Sequence, residues 1–468
     1  MLDLLIRDVT VVTVDSSRNI LFHGAMAVDK GRIVDVGPTE VLESKYPERA
    51  KTIGGEGQIL FPGFINTHNH LFQTLLKGLG DDMVLSEWLR TMTFPAAKYL
   101  TAEDCYWASM LGCMEGIRSG ITTMLDYMYP HNCAGLSDGI LQAMEELQIR
   151  AVFGRGCMDT GEQFGVPREI MQDVDTIEKD LVHIYDRYHN AHDGRIKVWT
   201  APAALWSNSE KLLKMLWRVT QAYQSSGFTV HVSETPFDRE ATTQLHGCAG
   251  TDCLKKLGIM GPNVLMVHCV WLTDHDIEMA AKYGLKVSYN TVSNMYLSSG
   301  VAPIPKLLKA GVPVSLGVDG AASNNGQDML ELMKSASLLQ KVHNLDPTAM
   351  TAEKALEMAT IDGARCLGLE DEIGSLEVGK RADFVLFDPY RNPKAVPVHN
   401  PVSTLVYSST MDNIRTVAVD GRLLMEDGVF TVVADERAVL RNAQQAADNL
   451  AERGGMTNRG AGHRWKTI

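Results

Sequence analysis

Residues 61–73 read FPGFINTHNHLFQ. An apolar run reaches this stretch from Ile59 and ends in two histidines one residue apart. Side chains on a strand alternate between its faces, so His68 and His70 point to the same side. Two imidazoles held that close can grip one metal ion. They can equally be polar residues bonded to backbone at a strand end. Ligands at the ends of other strands would decide between the two readings, so the other strands have to be found.

Seven more apolar runs follow the first, at 59–68. They are ITTMLDYM (121–128), RAVFGRG (150–156), IKVWTAPA (196–203), FTVHVSE (228–234), VLMVHCV (264–270), KVSYNT (286–291) and VSLGVDG (314–320). Stretches with helical patterning separate them, such as AMEELQI (143–149) and HDIEMAAKYG (275–284). Apolar strands alternating with helices predict a parallel sheet with crossover helices. Eight such units predict a (β/α)8 TIM barrel over 59–375. The flanks differ. LLIRDVTVVTVD (4–15), KRADFVLFDP (380–389) and IRTVAVDGRLLMEDGVF (414–430) read as short strands joined by turns, and residues 436–455 read as a terminal helix. Residues 1–58 and 376–468 are therefore expected to form one composite β-sandwich domain with a C-terminal helix.

Active sites of such barrels sit at the C-terminal ends of the strands. The first strand ends in His68 and His70, the fifth carries His231 and Glu234, the sixth ends in His268 and the eighth in Asp319. Three strands ending in histidine and a fourth in aspartate point to a metal site. A set of imidazoles and one carboxylate leaves room for a water, as a catalytic site requires. The fourth strand ends in WTAPAA, and Lys197 lies at its wrong end, so no bridging lysine is available and one metal ion is expected. His131 follows the second strand and could line the pocket. His23, His189, His192 and His463 fall outside the strand ends and read as surface or structural residues.

Composition narrows the function. The net charge of −13 argues against nucleic-acid binding, which draws on a basic face. No run of about 18 apolar residues could span a bilayer. The N-terminus lacks the features of a secretory signal. The eight cysteines are scattered and expected to be reduced, with Cys248 and Cys253 too few for a metal site by themselves. A cytoplasmic setting is expected.

The motifs PGFINTHNH, HVSE, VHCV, GVDGAASNN and GSLEVGKRADFVLFD, in that order, resemble the amidohydrolase superfamily across essentially the whole chain, and within it the single-metal nucleobase and triazine deaminases. The resemblance extends to adenosylhomocysteine/methylthioadenosine deaminases, 8-oxoguanine and isoxanthopterin deaminases, and s-triazine hydrolases. It implies that His68, His70, His231 and Asp319 bind one divalent ion, zinc first, with iron or manganese as alternatives. It also implies that Glu234 protonates a ring nitrogen, His268 orients the attacking water and Asp319 relays its proton. The expected activity is hydrolytic removal of an exocyclic amine from a purine, pterin, pyrimidine or s-triazine ring. The alternatives are displacement of chloride or alkylamine from an s-triazine, and an adenosylhomocysteine/methylthioadenosine-type deamination. The superfamily's members are often dimers or tetramers, so a homo-oligomer is expected. Two motifs depart from the adenosyl-type pattern. Ala203 stands where a Gly-Pro-His motif has histidine, and Tyr289, Thr291 and Tyr296 replace histidine, proline and lysine after the seventh strand. Candidate ring-reading residues are Gln73, Glu87, Trp88, Arg155, Trp206 and Asn294, with Ser323 and Asn324 on the leaving-group side. Aromatic side chains stack on flat rings and polar ones bond to ring edges.

Overall fold

The structure is a computed structural model and describes residues 1–456; His463 lies outside the described residues. Five strands open the chain: β1 (Leu2–Val12), β2 (Ile20–Asp29), β3 (Arg32–Pro38), β4 (Arg49–Gly54) and β5 (Ile59–Pro62). Eight parallel strands follow: β6 (Phe64–Asn69), β7 (Ile121–Met128), β8 (Arg150–Cys157), β9 (Ile196–Pro202), β10 (Phe228–Val232), β11 (Val264–His268), β12 (Lys286–Tyr289) and β13 (Val314–Leu316). They neighbour one another in chain order. Thr67 on β6 meets β13 through Ser315 Oγ at 2.8 Å and the Leu316 carbonyl at 2.9 Å, which brings the two ends of the sheet together. β6, β7 and β8 are buried along their whole length, as a sheet packed inside and outside requires.

The last strands, β14 (Phe384–Phe387), β15 (Ile414–Val419), β16 (Arg422–Glu426) and β17 (Val429–Phe430), join the first five in a separate nine-stranded mixed sheet. β14 pairs antiparallel with β5, so the two chain ends share this sheet. The run 59–68, read as one barrel strand, is thus two strands. Ile59–Pro62 belongs to the mixed sheet and Phe64–Asn69 to the barrel. Gly63 makes the break: a Cβ there would lie 2.1 Å from Thr122 Oγ1.

The barrel's lower end is tied to this sheet by Arg150, at the start of β8. Its guanidinium meets Asp383 at 2.8 and 3.0 Å and Asp420 at 2.6 Å, with the Arg150 and Asp383 side chains almost fully buried. Burial works against the Arg150 charge, but the two carboxylates outweigh it and hold the guanidinium firmly protonated. The crossover helices carry standard start signals. Helix Ala102–Arg118 opens on a capping box, in which Thr101 Oγ1 accepts from Asp104 N and Asp104 accepts from Thr101 N. The expected terminal helix forms over Glu436–Arg453 and packs on Ala102–Arg118. Among the described residues no helix is long and apolar enough to cross a membrane.

Candidate metal and catalytic site

The strand-end histidines converge at the upper mouth of the barrel. His68 lies on β6, and His70 caps the short 3-10 turn that follows. His231 comes from β10 and His268 from the end of β11. Asp319 sits three residues beyond β13, where its N–H donates to the His68 carbonyl at 2.9 Å. His268 and Asp319 both adopt left-handed backbone, with φ of 67° and 71°. Non-glycine residues rarely hold that conformation, and it concentrates at functional sites.

The ring nitrogens make the case for a cation. His70 Nδ1 lies 2.6 Å from the Tyr127 carbonyl, and His231 Nδ1 lies 2.5 Å from the Ala203 carbonyl. A carbonyl only accepts, so each Nδ1 carries the proton. Both Nε2 atoms therefore present lone pairs, and they face each other at 3.3 Å. Asp319 Oδ1 adds negative charge 3.3 Å from His68 Nε2 and 3.4 Å from His70 Nε2. Neither ring nitrogen of the buried His68 has a hydrogen-bond partner. Acceptors gathered this closely repel one another unless a cation lies between them. Three imidazoles and a carboxylate are a donor set that a divalent transition metal accepts. The protonation states suit it too. Burial, reinforced by His68, pushes His70 down to about 3, and burial with His68 and His268 holds His231 well below its ordinary value. Burial works to raise the Asp319 carboxyl, but His68, His268 and His70 outweigh it and hold Asp319 well below the usual range.

Two further groups face this cluster. His268 Nε2 lies 3.5 Å from Glu234 Oε2 and 3.9 Å from Asp319 Oδ2. Asn294 Nδ2 donates to His268 Nδ1 at 3.0 Å, which leaves the ring proton on Nε2, facing the two carboxyl groups. Burial pushes His268 down to about 3, against the pull of Asp319. Glu234 goes the other way. Burial, with Asp238 and Asp319 nearby, pushes its carboxyl well above the ordinary value, and Ser299 Oγ donates to it at 3.2 Å. The site thus pushes the pKa values of two neighbouring carboxyls apart, Asp319 down and Glu234 up, the division that acid–base chemistry needs.

Of the ring-reading candidates, Gln73, Trp88, Trp206 and Ser323 line the cavity beside the cluster. Trp88 Nε1 donates to the Ala322 carbonyl at 3.0 Å, and Trp206 Nε1 to Asp238 Oδ1 at 2.8 Å, so both rings are fixed as walls. Gln73 Nε2 donates to Tyr129 Oη at 3.1 Å, and its Oε1 is buried without a partner. Gly320 makes room for that amide, since a Cβ there would overlap Oε1. The other candidates lie elsewhere. Glu87 is exposed and does not line the cavity. Arg155 is buried but held by Asp180 at 2.6 and 2.8 Å and by Gln172 at 2.9 Å, so it braces the barrel wall instead of reading a ring. Asn294 touches His268, as described, and Asn324 donates to the Val318 carbonyl. His131 is buried against Ser137, 3.1 Å away, and is not on the cavity. Lys197 bonds Asn190 at the far end of β9.

The sequence reading missed several cavity residues. Leu85, Leu89, Phe94, Met158 and Leu297 supply apolar wall, and Asp238 and Tyr129 supply polar groups. Asp238 was traceable as the third residue of a helix beginning after Thr235, whose N–H it accepts at 2.7 Å. Ser299 left no signal, since it reaches Glu234 from a loop 65 residues away.

Comparison with known proteins agrees with this geometry. The sequence profile of the amidohydrolase family matches residues 59–424, and that of an imidazolonepropionase-like composite domain of bacteria matches residues 24–48. The 5'-deoxyadenosine deaminase of Methanobrevibacter smithii is 38% identical over 451 residues, spanning 96% of this chain and 98% of its own. The crystal structure of an adenosine deaminase from Xanthomonas campestris with bound zinc is 28% identical, with a TM-score of 0.89 over 96% of this chain and 99% of its own. The atrazine chlorohydrolase of Arthrobacter aurescens TC1, complexed with zinc, is 26% identical, with a TM-score of 0.87 over 95% and 100%. From its profile match, its full-length relatives and its barrel, the chain belongs to the amidohydrolase family.

Proposed function

We propose that the protein is a metal-dependent hydrolytic deaminase that removes the exocyclic amine of a nitrogen heteroaromatic ring, with an adenine-type ring first among candidates. The observation that carries this reading is the pair of facing Nε2 lone pairs of His70 and His231 beside Asp319, with the buried Glu234 carboxyl 3.5 Å from His268 Nε2. His68, His70, His231 and Asp319 would hold one divalent ion, zinc being the first choice for such donors. When bound, the ion supplies a Lewis acid able to lower the pKa of water from 15.7 to about 7.

The chain's own groups carry the protons. Asp319, ionised, accepts one proton from the attacking water. Glu234 gives its proton to the ring nitrogen beside the attacked carbon, so negative charge does not build there. His268 Nε2–H donates to the attacking oxygen and holds it in line. The new C–O bond makes the carbon tetrahedral. Asp319 passes its proton to the amine, the C–N bond breaks and ammonia leaves. The remaining hydroxyl proton returns to Glu234, and the ring departs with an oxo group in place of the amine.

The apolar walls, and Ala203 where adenosyl-type deaminases have histidine, favour one second reading: release of an alkylamine or chloride from an s-triazine by the same groups. A homo-oligomer in the cytoplasm completes the proposal, supported by the exposed Leu338, Val342 and Leu345 and by eight unpaired cysteines. The test is release of ammonia, alkylamine or chloride from a panel of rings by the zinc-loaded protein. The panel is 5'-deoxyadenosine, guanine, 8-oxoguanine, isoxanthopterin, cytosine, melamine and an alkylamino-triazine. Ammonia from one ring class supports the deaminase; alkylamine or chloride alone supports the second reading; no release from any member refutes both.

A further inference from the structure

The cavity's walls are as informative as its catalytic end. Leu85, Trp88, Leu89 and Phe94 line it from the segment after β6, Met158 from beyond β8, and Leu297 from the end of the short helix Thr291–Tyr296 after β12. Its ionisable groups, apart from the histidines and Tyr129, are the carboxyls of Glu234, Asp238 and Asp319. Among the described residues no lysine or arginine lines it. Arg155, the arginine expected to read the substrate, is bound to Asp180 and Gln172 outside the cavity.

We infer that the cavity takes an uncharged heteroaromatic ring bearing an apolar substituent, and rejects rings that carry a carboxylate or phosphate. This rests on the deaminase reading for the orientation of the ring, with its reacting edge toward Asp319 and Glu234. An anionic substituent on the opposite edge, away from the metal ligands, would leave water for aliphatic and aromatic side chains, with no lysine or arginine to receive it. A methyl, ethyl or methylthio group on that edge meets matching apolar surface and gains from burial. The wall therefore sorts substrates by charge, while Glu234, His268 and Asp319 treat the reacting edge alike.

Two pairs of ligands test this on the zinc-loaded protein. The first is 5'-methylthioadenosine against 5'-carboxymethylthio-5'-deoxyadenosine; the second is an N-ethylamino-triazine against its N-carboxymethylamino counterpart. Dissociation constants are taken with Glu234→Gln, which is expected to slow turnover, and kcat/KM with the unaltered enzyme. Binding of the neutral member at least about 100-fold tighter, in whichever pair binds, supports the inference. Equal binding within that pair, or no binding by any of the four, overturns it. Turnover separates the two claims: a neutral ligand bound selectively but never hydrolysed refutes the deaminase reading and leaves the sorting intact. Met158→Arg adds a cation to the wall and is expected to tighten the carboxylate-bearing member about 10-fold. A folded variant without that gain removes this wall as the cause.

Discussion

Lowering the pH of the metal-free protein from 7 to 5 is expected to weaken its fold by about 4 kcal/mol through His70 and His268 alone. Burial holds both imidazoles at about 3 in the folded chain, against about 6.5 when unfolded. A depressed pKa contributes stability above the unfolded value, and that contribution is lost as the pH falls toward the folded value. The window therefore runs from about 6.5 downward. At pH 5 the unfolded imidazole lies about 1.5 pH units below its pKa and is mostly protonated, while the folded one is not. At about 1.4 kcal/mol per unit this costs about 2 kcal/mol for each histidine. His231 acts in the same direction, and Glu234, with its raised pKa, in the opposite one. A single-site comparison isolates the effect. Urea unfolding of chelator-treated protein and of His268→Gln, each at pH 7 and pH 5, should show a pH-dependent loss about 2 kcal/mol smaller in the variant. Identical losses would mean that His268 is protonated in the folded state, and the reasoning about burial keeping it neutral would fail.

Glu234→Gln should keep its metal and lose about 10²–10⁴-fold in kcat, read by steady-state rates beside metal analysis; an unchanged rate would remove Glu234 as the proton donor. Its raised pKa also sets a direction for the unaltered enzyme: kcat should fall as pH rises through that value, because only the protonated carboxyl can donate. Asn294→Ala frees His268 Nδ1 and should lower kcat by about 10–100-fold with a much smaller effect on KM. A change confined to KM would assign Asn294 to binding instead. His68→Ala removes an imidazole from the centre of the cluster and should abolish both metal content and turnover. A metal-replete, active variant would exclude His68 as a ligand.

Much of this site was legible because its residues stand at fixed places in a periodic fold. His68, His70, His231, His268 and Asp319 could be placed at one mouth because each follows an apolar run in a chain of eight. The division between β5 and β6 was passed over because no change in polarity marks it; the Pro62-Gly63 pair is its local signal, and Thr122 crowds Gly63 at the break. Arg155 and Glu87 were chosen for their chemistry and position along the chain, but which way a side chain turns depends on partners far off in sequence. Asp180 captures Arg155, and Glu87 lies on the outer face of its short helix while Trp88 turns inward. The apolar wall was missed for a related reason. Leucine, methionine and phenylalanine look the same in a sequence whether they pack a core or line a cavity, and only the surrounding fold separates the two.

The most direct test of the central claim is to measure bound metal and ammonia release together. The protein would be stripped with a chelator and reloaded stepwise with zinc in the presence of a ring from the panel that turns over. Turnover should rise in proportion to zinc and level off at one ion per chain, with no rate in the stripped protein. Full activity without metal, or a plateau only at two ions per chain, would contradict a single ion held by His68, His70, His231 and Asp319.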